Sequence, residues 1–411
     1  MLLKVKKRDG KLEDWFTGKI ESAVEKASKR AKGNTDFSLA SYIEKKVTDY
    51  FWYGEGASAT VLVDDIHKQV ENALMRHCEF DTAREYITYR KAHMPDIFRP
   101  RVEYRPYEYP HLAAYTPAIN HSYWLFTHYN YGSDVQDIKV NMPPQKAETS
   151  LRCILGISQF EVAIKKFWIN VGNYLPKPEI EEVAATFADS EVRHAQAYSN
   201  LLQIMDLNGR FKELQDVPVM KRRIEYLRKA VNTVTQQEDF FKNVILFSMF
   251  MENVSLFSQF YILGKFYKEK KYLKGTYNAI LATSKEEVIH ANFGFDLINT
   301  IKKERPEWWS TQLVDEIKRE AGQALTAELD VLHWLVNGDD LLYDEVEGFI
   351  IKRMNESLAA IGIGPIVIED NKYDYEWFYV LTESRAGIDF FDSSDPSYTK
   401  GNTPVTADDL F

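Results

Sequence analysis

The chain has 411 residues, 45% of them apolar and 27% charged, which excludes global disorder and, at about 150 residues per domain, predicts two or three domains. Its net charge of −10 is uneven: residues 1–95 sum to +2 and residues 366–411 to −7. That balance argues against a nucleic-acid binder, while a slightly basic head can still hold a phosphate ligand. The only cysteines, Cys78 and Cys153, exclude a disulfide framework and fit a reducing compartment. The opening MLLKVKKRDG lacks the apolar core of a signal peptide, and no run of 18 uncharged apolar residues occurs. A cytoplasmic protein with no membrane span is expected.

In chain order, LKVKKRDGKLEDWF alternates around Asp9-Gly10 and predicts a β-hairpin. Ile20, Val24 and Ala27 then share one helical face, and helical spacing continues over Ser38–Tyr53, Leu62–Cys78 and Asp81–Ala92. Hairpin plus helices makes a small α+β module of residues 1–95. Pro100, Pro106, Pro110 and Pro117 break regular structure, so residues 96–118 read as a linker. Residues 119–365 are mainly α, with long helical patterns over Ala147–Gly172, Lys177–Asp206, Met220–Thr233, Glu238–Lys268, Lys274–Lys302 and Trp309–Val336. Their short connections predict an antiparallel bundle. Residues 366–411 lose the pattern, carry the acidic excess and read as a flexible docking tail.

Charge inside apolar helices is the most informative feature. In VILFSMFMENVSLFSQFYIL (residues 244–263), Glu252 is the sole ionisable group besides Tyr261. An unpaired carboxylate there is strongly disfavoured, so it needs a partner, and a metal ion is one that fits. Glu161, in LRCILGISQFEVAI, has a similar setting. Glu191/His194 and Glu287/His290 form two E-x-x-H pairs, a spacing that puts an oxygen and a nitrogen donor on one helix face. Glu161 precedes Glu191 by 30 residues and Glu252 precedes Glu287 by 35, each interval suiting a helix, a loop and the next helix. Carboxylate, E-x-x-H, carboxylate, E-x-x-H on four helices is the donor set of ferritin-like di-iron and di-manganese sites. Oxygen donors with imidazole suit Fe or Mn. The bland alternative is a set of buried salt-bridge or capping residues. Tyr198, one turn after His194, is either an oxidisable phenol near the metals or a packed core residue.

The stretches FADSEVRHAQAYSNLL, MFMENVSLF, SKEEVIHANFGFDLI and the acidic end ADDLF resemble the small, radical-generating subunit of class I ribonucleotide reductase, over roughly residues 115–411. The resemblance implies a ferritin-like bundle with two transition-metal ions, Mn or Fe, on Glu161, Glu191, His194, Glu252, Glu287 and His290. It implies a radical tyrosine at Tyr198 and a relay through Trp124, with Glu286 linking that tryptophan to a metal-bound histidine. It also implies Tyr398 as the step toward a large catalytic subunit docked by the tail, and a homodimer. Two positions depart from the family pattern: Glu161 and Glu286 stand where Asp is usual, and Glu161 is the variant of manganese-using subgroups.

The head resembles an ATP-cone, the allosteric nucleotide module of these reductases, through VKKRDGKLEDWFTGKIESAVEKA, LVDDIHKQVENAL and AREYITYRKAH. Lys6, Lys7, Arg8 and Lys91 offer charge to a triphosphate, and Trp15 and Phe16 offer surface to a base. The resemblance places Lys7, Glu13, Trp15, Phe16, Lys19, Val63, His67 and Lys91 around the pocket for ATP or dATP. The bland alternative is a basic hairpin with a hydrogen-bonded His67. The family usually carries this cone on the large subunit, so regulation through the small subunit is implied, with a larger assembly expected under dATP. Competing readings are a stand-alone dimetal oxidase of the same fold, an iron store or a nucleotide-sensing scaffold.

Overall fold

The computed structural model describes residues 3–7, 12–92, 95–164, 166–229, 234–370 and 372–383. The chain divides into two compact units. One comprises the residues up to Asp96 with Glu108–Pro110, the other Ile97–Tyr107 and the residues from His111 onward.

In the smaller unit, β1 (Lys4–Lys6) pairs antiparallel with β2 (Leu12–Asp14), setting Val5 opposite Glu13. Helices α1 (Gly18–Lys32) and α2 (Phe37–Tyr53) follow. Strand β3 (Thr60–Leu62), which the periodicity does not reveal, joins the free edge of β1 in parallel, and α3 (Val63–Arg76) and α4 (Phe80–Ala92) complete the unit. Strands of three residues hold only by packing. Val5 and Val61 bury against Ile20, Val24, Ile43, Val47, Val70 and Leu74. The turns are written locally: Gly33 ends α1 at φ 80°, and the Asp36 side chain caps α2 through the Leu39 N–H at 2.9 Å.

The larger unit is helical: α5 (Pro110–Ala113), α6 (Tyr115–His121), α7 (Gly132–Gln136), α8 (Pro144–Ile164), α9 (Lys166–Tyr174), α10 (Pro178–Ile204), α11 (Asn208–Glu213), α12 (Pro218–Lys229), α13 (Gln237–Leu246), α14 (Phe257–Lys270), α15 (Lys274–Glu304), α16 (Thr311–Val336), α17 (Asp340–Ala360) and α18 (Glu376–Glu383). Three expectations change. The stretch read as a linker is structured: Ile97 N–H donates to Glu304 at 2.8 Å, Arg101 pairs with the buried Glu179, and α5 and the start of α6 lie within it. Its prolines exclude long helices, not packing. The stretch read as one helix over Glu238–Lys268 contains a π-helical segment, Phe247–Ser255, between α13 and α14. The acidic tail begins with an anchored helix: Tyr375, Phe378 and Tyr379 are buried, and Tyr379 donates to Glu356 at 2.7 Å.

The run Gln237–Lys270 is long and apolar enough by composition to cross a membrane, but it is mostly buried among the other helices, as a core helix is. Helix α15 is held at its start by Asp134, which accepts from the backbone N–H groups of Gly275 at 3.0 Å and Thr276 at 2.6 Å. Farther along, Gly294 lies against the π segment so closely that a Cβ there would stand 2.0 Å from Ser248 Oγ. Only glycine admits that approach.

Candidate metal centre and nucleotide pocket

Four elements deliver the carboxylates and imidazoles. Helix α8 brings Glu161, α10 brings Glu191 and His194, the π segment brings Glu252, and α15 brings Glu287 and His290. All six are buried. Their ligand atoms form two overlapping groups, Glu191/Glu252/Glu287/His290 and Glu161/His194/Glu287, each within 4.8 Å. Glu287 sets Oε1 3.1 Å from His194 Nδ1 and Oε2 3.3 Å from His290 Nδ1. Glu191 does the same with Oε2 at 3.6 Å from His194 Nδ1 and Oε1 at 3.1 Å from His290 Nδ1. Glu161 Oε2 lies 4.0 Å from His194 Nδ1, and Glu252 Oε2 3.4 Å from His290 Nδ1.

The hydrogen bonds fix which ring atoms face this cluster. His194 Nε2 lies 2.7 Å from Glu286 Oε2; an ionised carboxylate only accepts, so Nε2 carries the hydrogen and Nδ1 a lone pair. Ser190 spends its hydroxyl hydrogen on Phe187 O at 2.7 Å, so it accepts from His290 Nε2 at 2.9 Å, and that Nδ1 is a lone pair too. Both Nδ1 atoms, both oxygens of Glu161, Glu191 and Glu287, and Glu252 Oε2 are buried without a hydrogen-bond partner. Acceptors facing acceptors in an apolar interior repel unless cations lie between them. Among the described residues, no Lys or Arg forms an ion pair with these four carboxylates. The donor set therefore fits two transition-metal ions. Without them, protons must take that place: burial pushes Glu161 and Glu252 upward, and on both histidines the surrounding carboxylates overcome burial and raise the pKa.

From His194 a chain of contacts leads outward. Trp124 Nε1–H donates to the same Glu286 Oε2 at 3.1 Å. Arg193 donates to Glu286 Oε1 at 3.0 Å and to the Trp124 carbonyl at 3.2 Å, and its guanidinium lies over the ring of the exposed Tyr123. Glu286 thus hydrogen-bonds to both Trp124 and His194. Tyr198 is buried, and its hydroxyl donates at 3.0 Å to Thr283, not to a carboxylate; burial raises its pKa well above the phenol range. Tyr398 lies outside the described residues.

Sequence reasoning missed Arg193, Ser190 and Trp168. Trp168 Nε1–H donates to Glu252 Oε1 at 3.0 Å, and its ring packs edge-on to Phe187 and Phe247. The signal was present: an indole N–H in an apolar helix needs an acceptor.

In the smaller unit, a cavity of about 180 Å³ is lined by Lys7, Glu13, Trp15, Phe16, Lys19, Val63 and His67, with Tyr86 behind. Lys19 (2.6 Å) and Lys7 (3.3 Å) approach Glu13 Oε2 and hold its carboxyl below the usual range. His67 Nδ1 is 2.8 Å from Tyr86 Oη. Two expected residues do not line the cavity. Lys6 follows Val5, a cavity-lining residue, along β1 and so faces the other way. Lys91 is exposed, because Tyr86 and Arg90, four apart, hold the inward face of α4. Arg8 lies outside the described residues.

Residues 101–371 match the family described as ribonucleotide reductase, small chain, and residues 3–94 match the ATP cone domain. A probable ribonucleoside-diphosphate reductase small subunit of Invertebrate iridescent virus 3 is 22% identical over 324 residues, 74% of this chain and 85% of that protein. The ribonucleoside-diphosphate reductase subunit beta of Chlamydia pneumoniae is 30% identical over 170 residues, 40% of this chain and 47% of that one, less than half of the relative's length. The solved ribonucleotide reductase R2 subunit from Clostridium botulinum superposes with a TM-score of 0.60 at 17% identity, covering 67% of this chain and 89% of that one, a likeness of fold. With a family match across most of the helical unit and a second across the smaller one, the chain belongs to the ribonucleotide reductase small chain family, an oxidoreductase subunit with a ferritin-like bundle and an ATP cone.

Proposed function

We propose that this chain generates and stores the oxidising equivalent for reduction of ribonucleoside diphosphates, and passes it to a large catalytic subunit. The observation that carries the reading is the cluster of orphaned donor atoms joined through His194 and Glu286 to Trp124. Glu161 and His194 would hold one Mn or Fe ion, Glu252 and His290 the other, with Glu191 and Glu287 reaching toward both. Bound there, the pair would supply one-electron chemistry driven by oxygen or a reduced oxygen species. The chain's own residues do the rest. Phe187, Phe247 and Trp168 wall the site from water. Trp124 passes the electron, and its Nε1 proton has Glu286 Oε2 as acceptor at 3.1 Å, so charge need not build up on the indole. Refilling the hole returns the proton. Tyr198 is a second resting place for the hole; its hydroxyl proton is held toward Thr283. Tyr398, in the tail, is the relay to the partner. Two cysteines are too few for thiol-based substrate reduction, which belongs to that partner.

Deleting residues 390–411 tests this division of labour. Nucleotide reduction with the large subunit should disappear while metal content and the electron paramagnetic resonance signal of the oxygen-treated chain persist. Retained reduction overturns the reading.

The cone regulates, in this reading, by binding ATP or dATP, with Lys7 and Lys19 on the phosphates and Trp15 and Phe16 on the base; dATP favours a larger assembly of the homodimer. Light scattering of the full chain should show a higher mass with dATP than with ATP. In Lys7→Gln, the dATP concentration needed should rise about 10- to 100-fold, the worth of one charge-assisted contact at roughly 1.5–3 kcal/mol. Equal masses with both nucleotides remove the assembly idea.

A further inference from the structure

Glu252 sits in the π-helical segment Phe247–Ser255, and α-spacing has resumed by the Phe260 N–H to Leu256 O bond of 3.1 Å. Where a helix returns from five-residue to four-residue bonding, one more carbonyl is left than there are amides to serve it. The stretch is buried, so water is no substitute.

Two buried arginines from other helices end on the carbonyls of this turn. Arg353 of α17 donates Nε–H to Asn253 O at 2.7 Å and Nη2–H to Asn253 Oδ1, with its guanidinium 3.5 Å above the Phe257 ring. Asn253 is fixed from its other side by Nδ2–H to Ser357 Oγ at 2.6 Å. Arg223 of α12 donates to Ser255 O and, at 3.1 Å, to Gly156 O of α8, the helix that carries Glu161; Glu328 lies 3.4 Å from its Nε. A guanidinium is a rigid fork that reaches two acceptors at once. Each fork here engages the residues just beyond Glu252.

We infer that Arg353 and Arg223 are positioning residues for the metal centre. They donate to carbonyls at the exit of the π turn, where the ladder leaves one unserved, and so hold the helical register that turns Glu252 toward Glu287 and His290. Their hydrogen bonds described above go to backbone carbonyls, to Asn253 and to Glu328, so each acts on the metal centre through the backbone. The inference rests on the dimetal reading above.

The test is Mn(II) titration of the metal-free full chain, following free Mn(II) by electron paramagnetic resonance, with the melting temperature measured before and after loading. Wild type takes two equivalents. In Arg353→Met one of the two is expected to bind about 10- to 100-fold more weakly, the usual effect of losing an outer support, while the other stays within about threefold. Arg353→Lys, which keeps the charge but reaches only one acceptor on Asn253, falls between. The rise in melting temperature on adding Mn(II) shrinks in the same order. A merely structural role would instead lower metal-free and loaded midpoints together and leave both affinities alone, which overturns the inference. If Arg353→Met does not fold, Arg353→Lys decides: wild-type affinity at both sites rejects the brace. Failure of wild type itself to take two equivalents sinks the dimetal reading, and the brace with it; wild-type loading with unchanged variants sinks the brace alone.

Discussion

Glu287→Ala is expected to abolish retention of both metal ions, with affinity falling by more than the roughly 100-fold that marks the upper range for an outer support. Glu287 is the residue common to both candidate donor groups, with one oxygen 3.1 Å from His194 Nδ1 and the other 3.3 Å from His290 Nδ1. Removing it takes a donor from each ion at once. Glu161→Ala, which belongs to one group, should lose one ion first. The metal-free variant should melt below metal-free wild type, because without ions Glu287 is held ionised, against its burial, by hydrogen bonds to Glu252, His194 and His290, and alanine removes that buried partner. Mn(II) titration checks the two affinities, and thermal melting of the metal-free chain checks the third statement. An alanine variant that still holds two ions shows that the cluster is not the metal site.

Trp124→Phe should separate metal loading from catalysis. Phenylalanine fills most of the ring volume beside His194, and Glu286 still holds His194 Nε2 at 2.7 Å, so both ions should remain. What disappears is the indole N–H and its acceptor contact. Nucleotide reduction with the large subunit should fall by about 10²–10⁴-fold, the range for losing a positioned proton partner, on top of the loss of the oxidisable ring. Glu286→Gln should give a comparable loss with the ring intact, since an amide cannot take the proton. Metal analysis beside the assay reads the two effects apart. Reduction within threefold of wild type in Trp124→Phe removes this residue from the path.

The metal-centre residues were legible because burial makes charge conspicuous. Glu252 stood alone in an apolar helix, and the i, i+3 spacing of each E-x-x-H pair states its geometry. Their supports were not legible. Ser190, Arg193 and Trp168 look ordinary in sequence, and their roles depend on which helix lies opposite. The π turn was invisible because one extra residue barely disturbs a hydrophobic period averaged over several turns. Lys6 failed for a simpler reason: a run of basic residues on a strand divides between two faces, and charge alone does not say which. In the tail, EWFYVL was submerged in an acidic average although Phe378 and Tyr379 bury there.

The touch of Gly294 on Ser248 has a consequence for ion choice. Two of the walls that frame the pair meet backbone to side chain, with no slack for adjustment. A frame locked in this way keeps its span whichever element enters, so an ion whose preferred bond lengths fit that span is favoured over one that would need it to swell or shrink. Donor chemistry and cellular supply then act on top of that fixed geometry.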